Sequence, residues 1–212
     1  MNMNAERAVY RLREFRRQGE LPKHYQCSYE VLDDNTREVM AVCDLSGKAV
    51  FSSLEILDQQ QQRWQMRPNR KIMPSRWVVT DPAGVIHTRF DQKILGKLKN
   101  PLYRVALSLE DGAGNEIFRL VDPRSNIGDR IFGSGPGEWV LLRGDQPRAK
   151  LVRLPRPSEP GQGGKGFWGK LRKFLASSDQ GLISVGSRHI LPAPVVLGML
   201  LLFNELTDSS AG

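Results

Sequence analysis

The chain has 212 residues, 40% hydrophobic and 25% charged, with a formal net charge of +8. These are ordinary globular proportions, with room for one sizeable core or two small ones, and one main domain is expected. The charge points to an anionic partner, whether phosphoinositide, membrane surface or nucleic acid, without choosing among them. Cys27 and Cys43 are the only cysteines, and their spacing fits neither a CxxC redox pair nor a zinc site. Structural thiols in a reducing compartment are therefore expected, with a single disulfide left open.

In AERAVYRLREFRRQGELPKHY, Val9, Leu12 and Phe15 recur at helical spacing among Arg7, Arg11, Arg13, Arg16 and Arg17. The spacing predicts a short basic amphipathic helix within an N-terminal arm, residues 1–22. It either lies solvated against the domain or meets a membrane surface or partner. The stretch has no apolar core of a secretory signal, and Glu6, Glu14 and Glu20 interrupt it where a mitochondrial transit peptide is poor in acids.

From Tyr25 to Leu154 the chain turns to short runs of Val, Ile, Phe, Tyr and Trp broken by turn residues, the pattern of an antiparallel all-β domain. AVCDLSGKAVF, WVVTDPAGVIHTRF and ALSLEDGAGNEIFRL each read as strand, acidic turn with Gly, and second strand. Successive hairpins of a meander follow. In the second, Trp77, Val79, Ile86, Thr88 and Phe90 fall on one face, and Val78, Thr80, Val85, His87 and Arg89 on the other. Both faces carry apolar residues, so the outer one is expected to be covered in part.

Residues 155–166, PRPSEPGQGGKG, can sustain neither ladder nor helix and read as an exposed loop. Beyond it Phe167, Trp168, Leu171, Phe174 and Leu175 interleave with Lys170, Arg172 and Lys173. A helix of this kind either packs its aromatic residues on the domain or lies in a lipid interface. The chain closes with LPAPVVLGMLLLFNEL and a short tail, residues 209–212. Its uncharged run from Ala193 to Phe203 is too short to cross a bilayer core, which takes roughly 20 apolar residues as a helix.

No catalytic constellation is recognised. His24, His87 and His189 are scattered without metal-ligand spacing, and the GSGPG loop at residues 133–137 lacks the Lys and Ser or Thr of a phosphate-binding loop. Neither a GxSxG elbow nor a cysteine nucleophile signature occurs. The RGD tripeptide at residues 143–145 bears on function only on an extracellular loop. Neither a metal site nor a cofactor is expected, and enzyme activity ranks last among the functional classes.

Hairpins with Asp and Gly turns followed by a nearly all-apolar terminal helix form an unusual order of elements. In that order, and in the segments RPNRKIMPSRWVVTDPAG, DQKILGKLKNPLYRV, DGAGNEIFRL and LPAPVVLGMLLLFNEL, the chain resembles the tubby C-terminal-like superfamily. The likeness is nearer to its LURP-one-related and phospholipid scramblase branch. It covers roughly Tyr25 to Leu206 and includes no invariant catalytic signature. It implies a closed antiparallel β-barrel of about twelve strands, residues 23–208, around a buried hydrophobic helix at 193–206. Pro192 and Pro194 then begin that helix, where a missing N–H costs little. Asn204, Glu205 and Asp208 would emerge at the far mouth.

The scramblase likeness implies an acidic calcium loop before the helix, but SSDQGLISVGSRH offers only Asp179, too few oxygen ligands for calcium. The tubby likeness implies phosphoinositide headgroups held by surface cations. The richest candidate is RWQMRPNRKIMPSRW, with Arg63, Arg67, Arg70, Lys71 and Arg76, beside the second basic set Lys170, Arg172 and Lys173. A solvated loop joining two strands explains the first set equally well. The expectation is thus a non-enzymatic module for anionic phospholipid or a membrane surface, cytoplasmic and peripheral at the membrane. The alternative is an interaction module for an acidic protein, and nucleic acid ranks third because aromatic residues are not clustered with the cations as in RNA-binding folds.

Overall fold

The computed structural model describes residues 9–15, 26–46, 49, 51–72, 74–92, 105–124, 138–153, 180–184 and 190–208. Among these, the strands are β1 (Val9–Phe15), β2 (Gln26–Asp33), β3 (Val39–Ser46), β4 (Leu54–Asp58), β5 (Arg63–Pro68) and β6 (Arg76–Thr80). They continue with β7 (Ile86–Asp91), β8 (Val105–Asp111), β9 (Glu116–Val121), β10 (Glu138–Arg143), β11 (Gln146–Arg153) and β12 (Gln180–Ser184). One helix, α1 (Ala193–Asp208), follows. The mainly β architecture, antiparallel throughout and followed by a C-terminal helix, is as the sequence predicts. The loop at 155–166 and the tail at 209–212 lie outside the described residues.

Each strand pairs with its neighbours in sequence, and β1 also pairs with β12, Val9 opposite Ile183 and Leu12 opposite Gln180. The order of neighbours, β1-β12-β11-β10-β9-β8-β7-β6-β5-β4-β3-β2, therefore returns on itself. Because the strands alternate in direction, all five short turns, at residues 33–38, 58–62, 81–85, 111–115 and 143–146, lie at one end of the sheet. The connections from β3 to β4 and from β5 to β6 lie at the other.

Three of the short turns are built alike. Asp58, Asp81 and Asp111 each close the loop with two backbone bonds to the residue three or four places on. The side chains brace the loops as well. Asp58 Oδ1 accepts the N–H groups of Gln60 and Gln62, Asp81 Oδ1 that of Val85, and Asp111 Oδ1 those of Ala113 and Asn115, all at 2.8–2.9 Å. The fourth residue of each turn sits in the left-handed region, which Gly84 (φ 81°) and Gly114 (φ 94°) adopt without a Cβ clash. Gln61 (φ 60°) adopts it too, at about 1 kcal/mol, the cost a β-carbon incurs there. The Asn115 side chain, then its backbone, holds the Asp111 carboxyl below the ordinary carboxylate range.

Residues from successive strands face one shared core. Leu54, Ile56, Met66, Trp77, Val79, Thr88, Phe90, Leu109 and Leu120 are all 3% exposed or less. The helix lies within this core. It packs against β1, β2, β3 and β4, its Gly198 lies against Met66 of β5 and Phe90 of β7, and Phe203 stacks edge-on with Trp139 of β10 at 5.1 Å. From Val195 to Phe203 the helix side chains are at most 2% exposed. From Ala193 to Phe203 the helix has no polar face to turn to water, so that part is stable only surrounded on every side. Burial of each large side chain contributes about 1.5–3 kcal/mol.

Two sequence expectations are corrected. Residues 9–15 are strand β1, not a basic helix, and they belong to the same sheet as β2 rather than to a separate arm. Val9, Leu12 and Phe15 match a helical spacing, but the stronger signal is the period of two, with Tyr10 and Leu12 buried and Arg11 and Arg13 turned outward. The ladders to β2 and β12 satisfy its backbone groups on both sides and override the helical propensity of the arginines. The second correction concerns AVCDLSGKAVF, which is not a hairpin. Its first half is β3, but the partner strand is β4, and Phe51 lies in the connection, 50% exposed. The loop there is longer than its Gly suggested.

Cys43 faces the core as a free thiol, and burial, reinforced by Asp44, pushes it up to about 12 from 9.0. A group whose folded-state value is raised gives stability that is full below the unfolded value and is lost as pH rises towards the folded one. Between about pH 9 and 12 the native protein should therefore lose up to about 1.4 kcal/mol per pH unit that a Cys43→Ala variant keeps. Urea unfolding midpoints at about pH 8 and about pH 10.5 check this. An equal alkaline loss in both proteins counts against it.

Candidate anion-binding surface

Strand β5 divides its side chains between two environments. Met66 is fully buried and Trp64 half-buried, while Arg63 and Arg67 point outward. Beyond Pro68 the chain leaves the sheet and comes back at β6. Asn69 closes the neck of this excursion: its N–H donates to the carbonyl of Arg76 at 2.8 Å, and its Oδ1 accepts the N–H groups of Ser75 and Arg76 at 3.3 and 3.2 Å. Pro74 is buried, and Ser75 accepts the N–H of Gln92 at 2.8 Å. The loop is pinned at its base, leaving Arg70, Lys71 and Ile72 exposed at its tip.

The candidate cations fare differently. Arg63 lies at the opposite end of β5, about 13 Å along the strand from Arg67 at 3.3 Å per residue, and sits 3.8 Å from Glu55. Arg67 donates to the side-chain oxygen of Gln65 at 2.6 Å. Arg76 is engaged by Asp91 at 3.0 Å and stands 3.9 Å from Glu110. The hydrogen bond to Asp91 holds its guanidinium above the ordinary value, so this arginine stays charged and is paired across the ladder from β6 to β7. Arg70 and Lys71 make no ion pair among the described residues. The structure thus brings Arg67, Arg70 and Lys71 to one end of the sheet, separates Arg63 from them, and turns Arg76 to a structural role. Lys170, Arg172 and Lys173 lie outside the described residues.

Most other arginines of the outer face are likewise occupied. Arg119 bridges Glu116 at 3.1 Å and Asp145 at 3.4 Å, and donates to the carbonyl of Gly144 at 2.8 Å. Arg124 grips Asp122 at 2.6 Å, and Arg13 pairs with the buried Glu30. Of the RGD residues, Gly144 (φ 58°) lets the chain turn tightly between β10 and β11, and Asp145 serves as a partner of Arg119. Arg143 and Arg148 make no ion pair with a carboxylate among the described residues; they lie at the short-turn end of the sheet, where Arg148 donates to the side-chain oxygen of Gln146 at 2.6 Å.

His87 lies against the ring of Trp64, centroids 5.4 Å apart, with Nδ1 2.8 Å from the hydroxyl of Thr88. Trp64 in turn donates from Nε1 to Asp58 at 3.1 Å. These contacts tie one hairpin to the next. Among the described residues, no group of three or more His, Cys, Asp or Glu side chains could hold a metal ion. No helix among them is long and apolar enough to cross a membrane.

The exposure of Phe51 and Ile72 is the feature that sequence reading missed. Hydropathy does not mark Phe51 as lying three residues before β4, nor Ile72 as left exposed in a basic loop. Compared with family models, with characterised proteins and with solved structures, the chain gives no match.

Proposed function

We propose that the chain is a non-enzymatic module of the tubby C-terminal-like kind, closer to its LURP-one-related and scramblase branch, that docks on anionic phospholipid surfaces. In this reading the strands form a closed barrel around α1, and the cytoplasmic face of a membrane is its site of action. The pairing of β1 with both β2 and β12 supports the barrel. The pinned loop carrying Arg70 and Lys71 supports the docking. Its two cations stand in water without a carboxylate among the described residues, whereas Arg76, Arg119 and Arg124 are each engaged by one. A cation left solvated beside engaged ones is free to meet headgroup phosphate, and near an anionic surface each contributes about 1 kcal/mol.

Sedimentation with vesicles tests the reading. The protein should bind phosphatidylcholine vesicles containing phosphatidylserine or a phosphoinositide, and bind pure phosphatidylcholine far less. Binding should weaken as salt is raised. Arg70→Ala with Lys71→Ala should remove about 2 kcal/mol, roughly a 30-fold loss of affinity. Absence of binding to every acidic vesicle at low salt, with stoichiometric retention of an acidic protein instead, would replace this reading by the protein-interaction one.

A further inference from the structure

Among the described residues the largest exposed apolar side chains are Ile72 at 80%, Val85 at 60%, Phe51 at 50% and Val39 at 40%. They fall at opposite ends of the sheet. Val39 begins β3 and Val85 lies in the turn between β6 and β7, both at the end where Asp58, Asp81 and Asp111 cap the turns. Phe51 and Ile72 lie at the other end, in the connections from β3 to β4 and from β5 to β6. Those connections are neighbours, because β4 and β5 are paired with Leu54 opposite Met66. Phe51 precedes Leu54 by three residues and Ile72 follows Met66 by six, so both project past the last rung of the same ladder.

We propose that Phe51 and Ile72 are membrane-inserting residues, which enter the acyl boundary of an anionic bilayer while Arg70 and Lys71 contact its headgroups. Ile72 directly follows the two cations on a loop whose base is held by Asn69 and the buried Pro74. A rigid base with an apolar tip and adjacent cations matches the layered chemistry of an interface, phosphate outside and hydrocarbon within. Val39 adjoins Glu38 and Val85 shares its turn with Asp81, whereas Ile72 adjoins Arg70 and Lys71, so local charge favours entry of Phe51 and Ile72. A soluble anion would engage the cations and leave Ile72 in water. The proposal therefore commits to a bilayer, and it rests on the docking reading above.

The experiment places a polarity-sensitive dye at Ile72→Cys in a Cys27→Ser background, where the remaining Cys43 is buried. Vesicles contain phosphatidylserine, with or without a quencher in the acyl chains. The expected result is a blue shift of the dye on binding and quenching from the acyl region. Unlabelled Phe51→Ser and Ile72→Ser variants should each bind about tenfold more weakly, with an unchanged salt dependence. Undiminished binding with the dye still in water would overturn insertion and leave the docking reading standing. Absence of vesicle binding by the unsubstituted protein would overturn both.

Discussion

Replacing Leu200 by Glu is expected to leave the chain unfolded. Leu200 is fully buried at the middle of α1, and residues on either side from Val195 to Phe203 are at most 2% exposed. The helix residues on either side of it, from Val195 to Phe203, are all apolar, so a carboxylate there leaves water for an apolar surrounding. Losing its hydration costs several kcal/mol even after the group takes up a proton. The lost leucine burial adds about 1.5–3 kcal/mol. Domains of this size are stable by only about 5–15 kcal/mol, so the two losses together consume most or all of the margin. Circular dichroism and proton NMR should show a chain without cooperative unfolding. Leu200→Met, which keeps volume and polarity, should cost under about 1.5 kcal/mol. A folded Leu200→Glu protein with an unchanged unfolding midpoint would refute the central position of the helix.

Gly198→Leu should be the second most damaging change, although leucine is the better helix former. A glycine inside a helix costs about 1 kcal/mol relative to alanine, so its presence needs a packing reason. The reason is Met66. A β-carbon on residue 198 would lie 2.8 Å from its sulfur and 3.5 Å from Cε2 of Phe90, and both side chains are fully buried. Alanine requires only that the end of the Met66 side chain shift, and the helix gain partly offsets that strain, so Gly198→Ala should lie within about 1 kcal/mol of the native protein. Leucine adds three further carbons where the core has no room, and should cost about 3 kcal/mol or more. Met66→Ala in the same chain should restore part of the loss, because it vacates that space. Urea unfolding of the four proteins measures the cycle, and additive effects would refute the direct contact.

The hairpins from β6 to β9 were legible because local chemistry decides them. Asp81 and Gly84, like Asp111 and Gly114, supply the side-chain acceptor and the left-handed residue that such a turn demands. The same turn at residues 58–62 carries no such mark in the sequence, because Gln61 takes the place of glycine there and bears the strain. Strand β1 is ambiguous in the sequence for a different reason. Seven residues with arginines at alternate positions fit a short helix nearly as well as a strand, and only partners distant in sequence, Leu32 and Gly181, remove the ambiguity.

The basic segment from Arg63 to Arg76 was visible as a cluster, but a linear cluster does not survive the pleat of a sheet. The strand carries Arg63 away from Arg70, and the ladder from β6 to β7 sets Asp91 opposite Arg76. Charge is a property of composition, whereas its availability depends on which carboxylate the register brings alongside. For the same reason the exposure of Ile72 and Phe51 could not be read from hydropathy.

Periodicity and turn chemistry act within a few residues, and they settle that this chain makes antiparallel hairpins and a terminal helix too short to span a bilayer. Tertiary structure alone decides that β1 joins β12, that the helix is surrounded, and which cations remain solvated. Each of these depends on contacts between residues far apart in sequence, whose free energy no local window contains.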